Sequence, residues 1–188
     1  MHSRAYYSEQ MMADVGLAIL PGDRQARVLI GGLGLGFTLQ RVLELARASL
    51  RIEVIELIPE VVAWHRELLP ASHREALEDP RVRVRIGDAV QRIREMPAGS
   101  CDAMLLDVDN GPVAMVAANN SWLYSPEGLR AVRGALRPGG RAVFWSASAD
   151  EAFAARLRRA KFSVEAIPAK LHEGAKRAAY MLYSATRS

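Results

Sequence analysis

Residues 27–40 read Arg27-Val28-Leu29-Ile30-Gly31-Gly32-Leu33-Gly34-Leu35-Gly36-Phe37-Thr38-Leu39-Gln40. The apolar run Val28 to Ile30 stops at glycines, and apolar residues resume at helical spacing with Leu39, Val42, Leu43 and Leu45. A β-branched run that breaks into glycines and then takes a helical period predicts strand, tight turn and helix. Gly32, Gly34 and Gly36 alternate, so the turn can adopt positive φ and has no side chains to hold a ligand away. The first N–H groups of the following helix would face that ligand. A glycine turn alone is equally compatible with a plain crossover, so the weight falls on what surrounds it.

Upstream, residues 5–19 carry Met11, Met12, Val15, Leu17 and Ala18 with polar residues between, which predicts an amphipathic helix ended by Pro21-Gly22-Asp23. Downstream, a helix is expected to about Ser49 and a second strand over 51–57, with its carboxylate at Glu56. Pro59 opens a helix with Val61, Val62, Trp64 and Leu68 on one side, and Asp79-Pro80 is a turn. Val82, Val84 and Ile86 alternate as a third strand closed by Gly87-Asp88, with a short helix to about Met96. The fully apolar run Ala103 to Leu106 suits the buried centre of a parallel sheet and stops at Asp107-Val108-Asp109-Asn110-Gly111-Pro112. Residues 112–125 are expected as an irregular loop, followed by a helix over 126–136, a strand over 142–145 and a helix over 150–160. The stretches 163–167 and 178–183 then read as two paired strands.

Alternating strands and helices imply an α/β fold: a doubly wound, mostly parallel seven-stranded sheet, helices on both faces and a C-terminal antiparallel hairpin. The expectation is one domain over 1–188, with residues 1–22 supplying an N-terminal helix that covers the site.

Half of the 188 residues are hydrophobic and 24% are charged, which suits a globular chain. The net charge is +4 without a long basic block, so a solvated surface is expected rather than a nucleic-acid groove. The lone Cys101 excludes an internal disulfide and a cysteine-based metal site, and it reads as a packed thiol. His2, His65, His73 and His172 lack metal-ligand spacing, so no metal is expected. No apolar run reaches the roughly 18 residues of a membrane span, and the expected location is the cytoplasm.

In doubly wound sheets ligands bind beyond the carboxyl ends of the strands. Gly32 to Gly36, Glu56, Asp88 and Asp107 each fall at such an end. Glu56, about 20 residues beyond the turn, suits the two hydroxyls of a ribose, the alternative being a charge at a helix amino end. Asp88 can accept an exocyclic amine while the Ala89 N–H meets a ring nitrogen; its alternative is a helix cap. Asp107 follows four apolar residues and has Asp109 and Asn110 nearby. Desolvation and a neighbouring carboxylate suit a general base, whereas Asp109 and Asn110 also suit an Asx-type turn.

The ordered series Val-Leu-Ile-Gly-Gly-Leu-Gly-Leu-Gly, Val-Ile-Glu-Leu-Ile-Pro-Glu, Ile-Gly-Asp, Leu-Leu-Asp-Val-Asp-Asn-Gly-Pro, Leu-Tyr-Ser and Leu-Arg-Pro-Gly-Gly resembles class I S-adenosylmethionine-dependent methyltransferases. More narrowly, it is similar to the spermidine synthase family of aminopropyltransferases. The resemblance implies Gly32, Gly34 and Gly36 close to a sulfonium nucleoside, Glu56 on its ribose, Asp88 and Ala89 at the adenine, and Asp107 near the transferred group. It implies S-adenosylmethionine or its decarboxylated form as cofactor, and an acceptor pocket shaped by Gln10, Trp122 and Tyr124. Catalysis would fall to Asp107 with Asp109 and Asn110.

The chain departs from the family where the glycine turn carries Leu35 instead of an acid that pairs with the aminopropyl ammonium. It also has Ile58 in place of a second acid, Ser8-Glu9-Gln10 where a Tyr-Gln pair faces the polyamine, and Val108-Asp109-Asn110-Gly111 after the catalytic Asp. An apolar Leu35 leaves an ammonium unpaired, which is costly. Methyl transfer to a small amine or hydroxyl acceptor is therefore the expected reaction. Aminopropyl transfer to a diamine and a non-catalytic nucleoside-binding homologue are the alternatives, and a nicotinamide dehydrogenase fits the turn less well. No nucleic acid or membrane partner is expected, and a homodimer is left open.

Overall fold

A computed structural model describes residues 6–20, 25–46, 48–108, 118–172, 174, 175 and 177–188. The elements run α1 (Tyr7–Leu17), β1 (Arg27–Gly31), α2 (Phe37–Leu45), β2 (Arg51–Glu56), α3 (Pro59–Glu67), α4 (Ala71–Glu78), β3 (Val82–Ile86) and α5 (Ala89–Arg94). They continue with β4 (Cys101–Leu106), a 3-10 helix (Ala118–Tyr124), α6 (Pro126–Ala135), β5 (Leu136–Ser146), α7 (Glu151–Arg159), β6 (Phe162–Lys170) and β7 (Ala178–Arg187). The strands form one seven-stranded sheet in the order β3-β2-β1-β4-β5-β7-β6. β1 to β5 pair in parallel, and β7 lies antiparallel between β5 and β6. The expected fold class is the observed one.

β4 is central, and all six of its residues are buried. Its side chains alternate between two cores. Ala103 and Leu105 join Met12, Ile30, Leu39, Val54 and Val143 on one face. Met104 and Leu106 join Leu29, Ile93, Leu129, Phe144 and Phe153 on the other. A strand covered on both faces has no polar side to show, which is why this stretch reads as continuous apolar sequence. Each fully buried leucine here contributes roughly 1.5–3 kcal/mol relative to exposure. Asp102 is the polar exception near the strand's start: buried, it accepts from Arg27 N at 2.8 Å and pairs with the Arg137 guanidinium at 3.0 Å.

Several element boundaries differ from the sequence reading. The helix expected from Pro59 through Leu68 ends at Glu67, and a separate α4 follows. Pro70 separates them, because it lacks an N–H and its ring clashes inside a helix. Trp64 and Leu68 do not form a buried face: they are 50% and 72% exposed, and Val62 and His65 point inward instead. α2 stops at Leu45, where Ala46 turns extended, rather than near Ser49. β5 takes in Arg137 to Gly140, and the irregularity shows as a register shift opposite Cys101 and Ala103. Within the expected loop, residues 118–124 form the 3-10 helix.

The N-terminal helix is placed by three contacts. Trp145 Nε1 donates to Ser8 Oγ at 3.2 Å, and Arg141 donates to the Val15 carbonyl at 2.7 Å. Gly16 has no room for a side chain, since a Cβ there would stand 2.3 Å from Leu105 Cδ2. α1 therefore lies flat on the sheet, antiparallel to β5, with its amino end at the strands' carboxyl edge.

Candidate functional site

The carboxyl edge is assembled by hydrogen bonds that tie the strand ends together. Gly32 N donates to the Ile55 carbonyl at 2.9 Å, Asp107 N to the Gly31 carbonyl at 3.0 Å, and Gly87 N to the Glu56 carbonyl at 2.9 Å. The ends of β1, β2, β3 and β4 thus meet, and with them Gly32, Glu56, Asp88 and Asp107. This convergence is what the sequence reading places at one edge.

Glu56 is 6% exposed. Its Oε2 accepts from Leu33 N at 2.8 Å and its Oε1 from Ile58 N at 2.9 Å. The carboxylate therefore clasps the glycine turn to the end of β2. Each oxygen has further lone-pair capacity, so two ribose hydroxyls remain compatible with this geometry.

The turn itself is left-handed at Gly32, Gly34 and Gly36, with φ of +89°, +54° and +80°. Two of these glycines are needed by the chain's own packing. A Cβ on Gly32 would stand 2.3 Å from the Asp107 carbonyl oxygen, and one on Gly36 would stand 2.5 Å from His65 Cε1. His65, buried on α3, bonds the Gly34 carbonyl through Nε2 at 3.0 Å, and its ring meets His73 edge-on at 5.3 Å. His65 is thus a structural partner of the turn that sequence reasoning passed over; its inward position in the amphipathic period of α3 was the available signal. Burial, followed by the neighbouring His65, lowers the pKa of His73.

Asp88 is the N-cap of α5, with Oδ1 accepting from Val90 N at 2.8 Å. The capping alternative is therefore realised, and Ala89 is the first residue of the helix. Asp107 stands past the last residue of β4, and burial pushes its carboxyl up to about 7. A carboxyl held near neutrality can accept a proton at physiological pH, which a fully solvated aspartate does poorly.

A second carboxyl feels its charge. Glu9, on α1, is likewise pushed up to about 7, by burial first and by the charge of Asp107 second. Its neighbour Gln10 is half-buried on the same helix. Trp122 lies under the Arg94 guanidinium, 4.2 Å from the ring centroid. Tyr124, expected at the acceptor pocket, is buried. The residue is 5% exposed, and its ring packs edge-on against Phe153 at 5.4 Å. Asp109 and Asn110 lie outside the described residues.

Cys101 is the packed thiol that was expected: its Sγ donates to the Ala103 carbonyl at 3.0 Å, and burial pushes it up to about 12. The arginines are less scattered than the sequence suggests. Arg27, Arg51, Arg83 and Arg85 line a cavity of about 560 Å³ at the sheet's other end. Among the described residues no helix is long and apolar enough to cross a membrane, and no His, Cys, Asp and Glu cluster could hold a metal ion.

Residues 5–155 match the Spermine/spermidine synthase domain. The chain belongs to this family. It is 33% identical over 144 residues to a polyamine aminopropyltransferase of Pyrobaculum neutrophilum, covering 76% of this chain and 47% of that protein. It is 30% identical over 132 residues to spermidine synthase 1 of Hyoscyamus niger, covering 70% and 39%. The chain thus spans about half, or less, of the length of these relatives. Among solved structures, a spermidine synthase in complex with the transition-state analogue AdoDATO superposes with a TM-score of 0.75 at 21% identity, over 97% of this chain and 61% of that one. Human methyltransferase-like protein 13 in complex with SAH gives 0.71 at 19%, over 97% and 82%. The spermidine synthase-like reading of the sequence is therefore borne out, and both solved neighbours share the chain's fold.

Proposed function

We propose that this family member is a transferase that moves the aminopropyl group of decarboxylated S-adenosylmethionine to a small primary amine. The reading rests on Asp107, a desolvated carboxyl near neutrality that hydrogen bonds tie to the glycine turn held by Glu56. The relatives named as polyamine aminopropyltransferases favour this transfer over the methyl transfer expected from the sequence.

The residues present fit a sulfonium nucleoside. Glu56 offers a carboxylate at the end of β2, and a turn whose Gly32, Gly34 and Gly36 carry no Cβ runs beside it. When bound, the nucleoside supplies an electrophilic carbon next to sulfur, so the protein needs chiefly alignment and a proton acceptor. Glu56 would hold the ribose, and Asp88 and Ala89 would border the adenine. Asp107 would orient the attacking amine and take the proton it loses as the C–N bond forms and the C–S bond breaks.

One observation favours a second reading. Leu35 stands in the turn where an acid would pair with the aminopropyl ammonium, which suits methyl transfer from S-adenosylmethionine. Calorimetry with the two nucleosides decides between them. Tighter binding of the decarboxylated form, with an aminopropylated product from putrescine by mass spectrometry, is the expected result. Equal or tighter binding of the carboxylated form overturns the proposal, and failure of both to bind overturns nucleoside chemistry altogether.

A further inference from the structure

Arginines gather on three neighbouring strands at the sheet edge opposite the candidate site. β1 opens with Arg27, β2 opens with Arg51, and the stretch Arg81-Val82-Arg83-Val84-Arg85 alternates into β3. The parallel register sets Arg27 directly against Arg51, Glu53 against Arg83 and Ile55 against Arg85. Residues two apart on a strand share a face, and Leu29 and Ile55 on this face pack in one core with Ile93 of α5. Arg27, Arg51, Arg83 and Arg85 therefore project on the side of the sheet that α5 covers. Strand spacing and rise put successive members about 5–8 Å apart at Cα. Like charges set directly opposite across strands, as Arg27 and Arg51 are, repel and cost stability.

The acids nearby are already engaged. Arg92 grips Glu53 through Nε and Nη2, each at 2.9 Å, Arg81 pairs with Asp79 at 2.8 Å, and Arg137 pairs with Asp102 at 3.0 Å. Among the described residues, Arg27, Arg51, Arg83 and Arg85 form no ion pair. They line the cavity of about 560 Å³, whose wall also takes in Met96 and Ser100. The Ser100 hydroxyl is buried there without a hydrogen-bond partner, a second polar group that the fold leaves unmatched. Charge on an edge strand discourages pairing with other chains, which would account for Arg83 and Arg85 on β3. It does not account for Arg27 and Arg51, because β1 and β2 are interior strands.

We propose that this cavity binds a small oligophosphate, its phosphoryl groups held by Arg27, Arg51, Arg83 and Arg85. A guanidinium presents a rigid fork of donors that matches phosphate oxygens, and each contact is a charge-assisted hydrogen bond. The volume lies in the roughly 300–1,000 Å³ range of small-molecule sites, which favours a compact anion over a long polymer. A chain of phosphates supplies several negative charges to the four guanidiniums, whereas a lone carboxylate leaves most of their repulsion in place. Arg51 opens β2 and Glu56 closes it, so the cavity stands about 17 Å from the nucleoside edge. The site is thus separate from the proposed transfer chemistry and does not depend on it.

The test titrates inorganic tripolyphosphate into the full chain by calorimetry, in about 0.15 M salt so that diffuse attraction is screened. Saturable binding is expected, weakened about tenfold or more in the double variant Arg51→Gln/Arg83→Gln, the scale of lost charged hydrogen bonds. Both side chains belong to exposed residues, so the thermal midpoint of that variant without ligand should not fall. Arg158→Gln/Arg159→Gln removes the same charge from α7 and should bind as the wild type does. UTP distinguishes the sources of the anion: tighter binding than tripolyphosphate assigns a nucleotide, and equal or weaker binding assigns the phosphate chain alone. Absence of saturable tripolyphosphate binding, or equal affinity in wild type and Arg51→Gln/Arg83→Gln, overturns the site; equal weakening in the two double variants does so too, since it reports net charge only. A single-stranded RNA of about 20 nucleotides that binds more tightly than tripolyphosphate and is lost in Arg51→Gln/Arg83→Gln overturns the small ligand in favour of a nucleic-acid surface. Methylthioadenosine, the donor without its aminopropyl group, should bind wild type and Arg51→Gln/Arg83→Gln alike; its failure to bind either counts against the proposed function and not against this cavity.

Discussion

Gly36 and His65 form an interlock whose energy can be measured directly. Gly36→Ala adds a Cβ at φ +80°, a left-handed conformation that costs an L residue roughly 1–2 kcal/mol. The same Cβ arrives 2.5 Å from His65 Cε1, about 1 Å inside ordinary contact. His65 cannot swing aside freely: it is buried, holds the Gly34 carbonyl and packs on His73. Forcing a group into such a site costs about 1–3 kcal/mol more. The single substitution should therefore destabilise by roughly 2–5 kcal/mol. In a His65→Ala background only the backbone strain remains, so Gly36→Ala should then cost roughly 1–2 kcal/mol.

Urea unfolding of the four proteins closes the double-mutant cycle, provided the m-values agree. The expected coupling is about 1–3 kcal/mol, with Gly36→Ala less damaging when His65 is gone. Additivity within about 0.5 kcal/mol would refute the interlock, for it would mean that the strain is entirely local to Gly36. Methylthioadenosine titration adds a functional arm. The clash displaces the turn that the nucleoside is proposed to contact, so Gly36→Ala should weaken binding and His65→Ala should recover part of it in the double variant.

Asp107→Asn should abolish transfer yet stabilise the fold above neutrality. The folded state holds the Asp107 proton up to about pH 7, whereas an unfolded aspartate releases it near 3.8. The folded chain therefore binds more protons between those values, and wild-type stability falls as pH rises through that window and then levels off. Allowing for the partial exposure of Asp107, the Asn variant should be about 1–3 kcal/mol more stable at pH 8 in urea melts; a variant less stable there contradicts the desolvation argument. Glu56→Gln replaces one acceptor oxygen by an amide NH₂, so either Leu33 N or Ile58 N loses its partner. A loss of about 1–3 kcal/mol with weakened nucleoside binding is expected, and an unchanged thermal midpoint would show that the clasp is dispensable. The Cys101 thiol should resist iodoacetamide in native protein and react only on denaturation; fast native labelling, read by mass spectrometry, would contradict its burial.

What the sequence made legible were features whose cause is local. Apolar runs that end in an acid mark strand ends, so Glu56, Asp88 and Asp107 could be placed on one edge before any coordinates. Pro59 and Pro126 marked helix starts because the N1 position tolerates a missing N–H. Features with a distant cause were hidden. Nothing within residues 7–17 says which way α1 runs over the sheet; Arg141 and Trp145 decide that from the far end of the chain. Without that direction Glu9 and Gln10 are equal candidates. The ring of Tyr124 was ambiguous for the same reason, since Phe144 and Phe153 draw it inward from later elements. α4 was missed although its signal, Pro70, was local, because Leu68 continued the apparent period of the preceding helix.

The glycine turn shows why a motif's residues and its ligand have to be argued separately. Gly32 is obligatory because Asp107's backbone passes against it, and Gly36 because His65 does. These constraints would hold in a protein that bound nothing, so the glycines alone testify to the turn and not to an occupant. Their packing nevertheless fixes where a ligand could go: the bond from Asp107 N to the Gly31 carbonyl brings the base beside the turn, and Glu56 brings the turn beside β2. Evidence for an occupant comes from groups that the fold leaves energetically unfinished. Asp107 and Glu9 are such groups, two desolvated acids with no Arg or Lys paired to them among the described residues. A fold selected only for stability gains nothing from keeping both, since neutral polar residues would cost less at the same positions. The chemistry of the site is therefore best sought in what Asp107 would meet beside the turn.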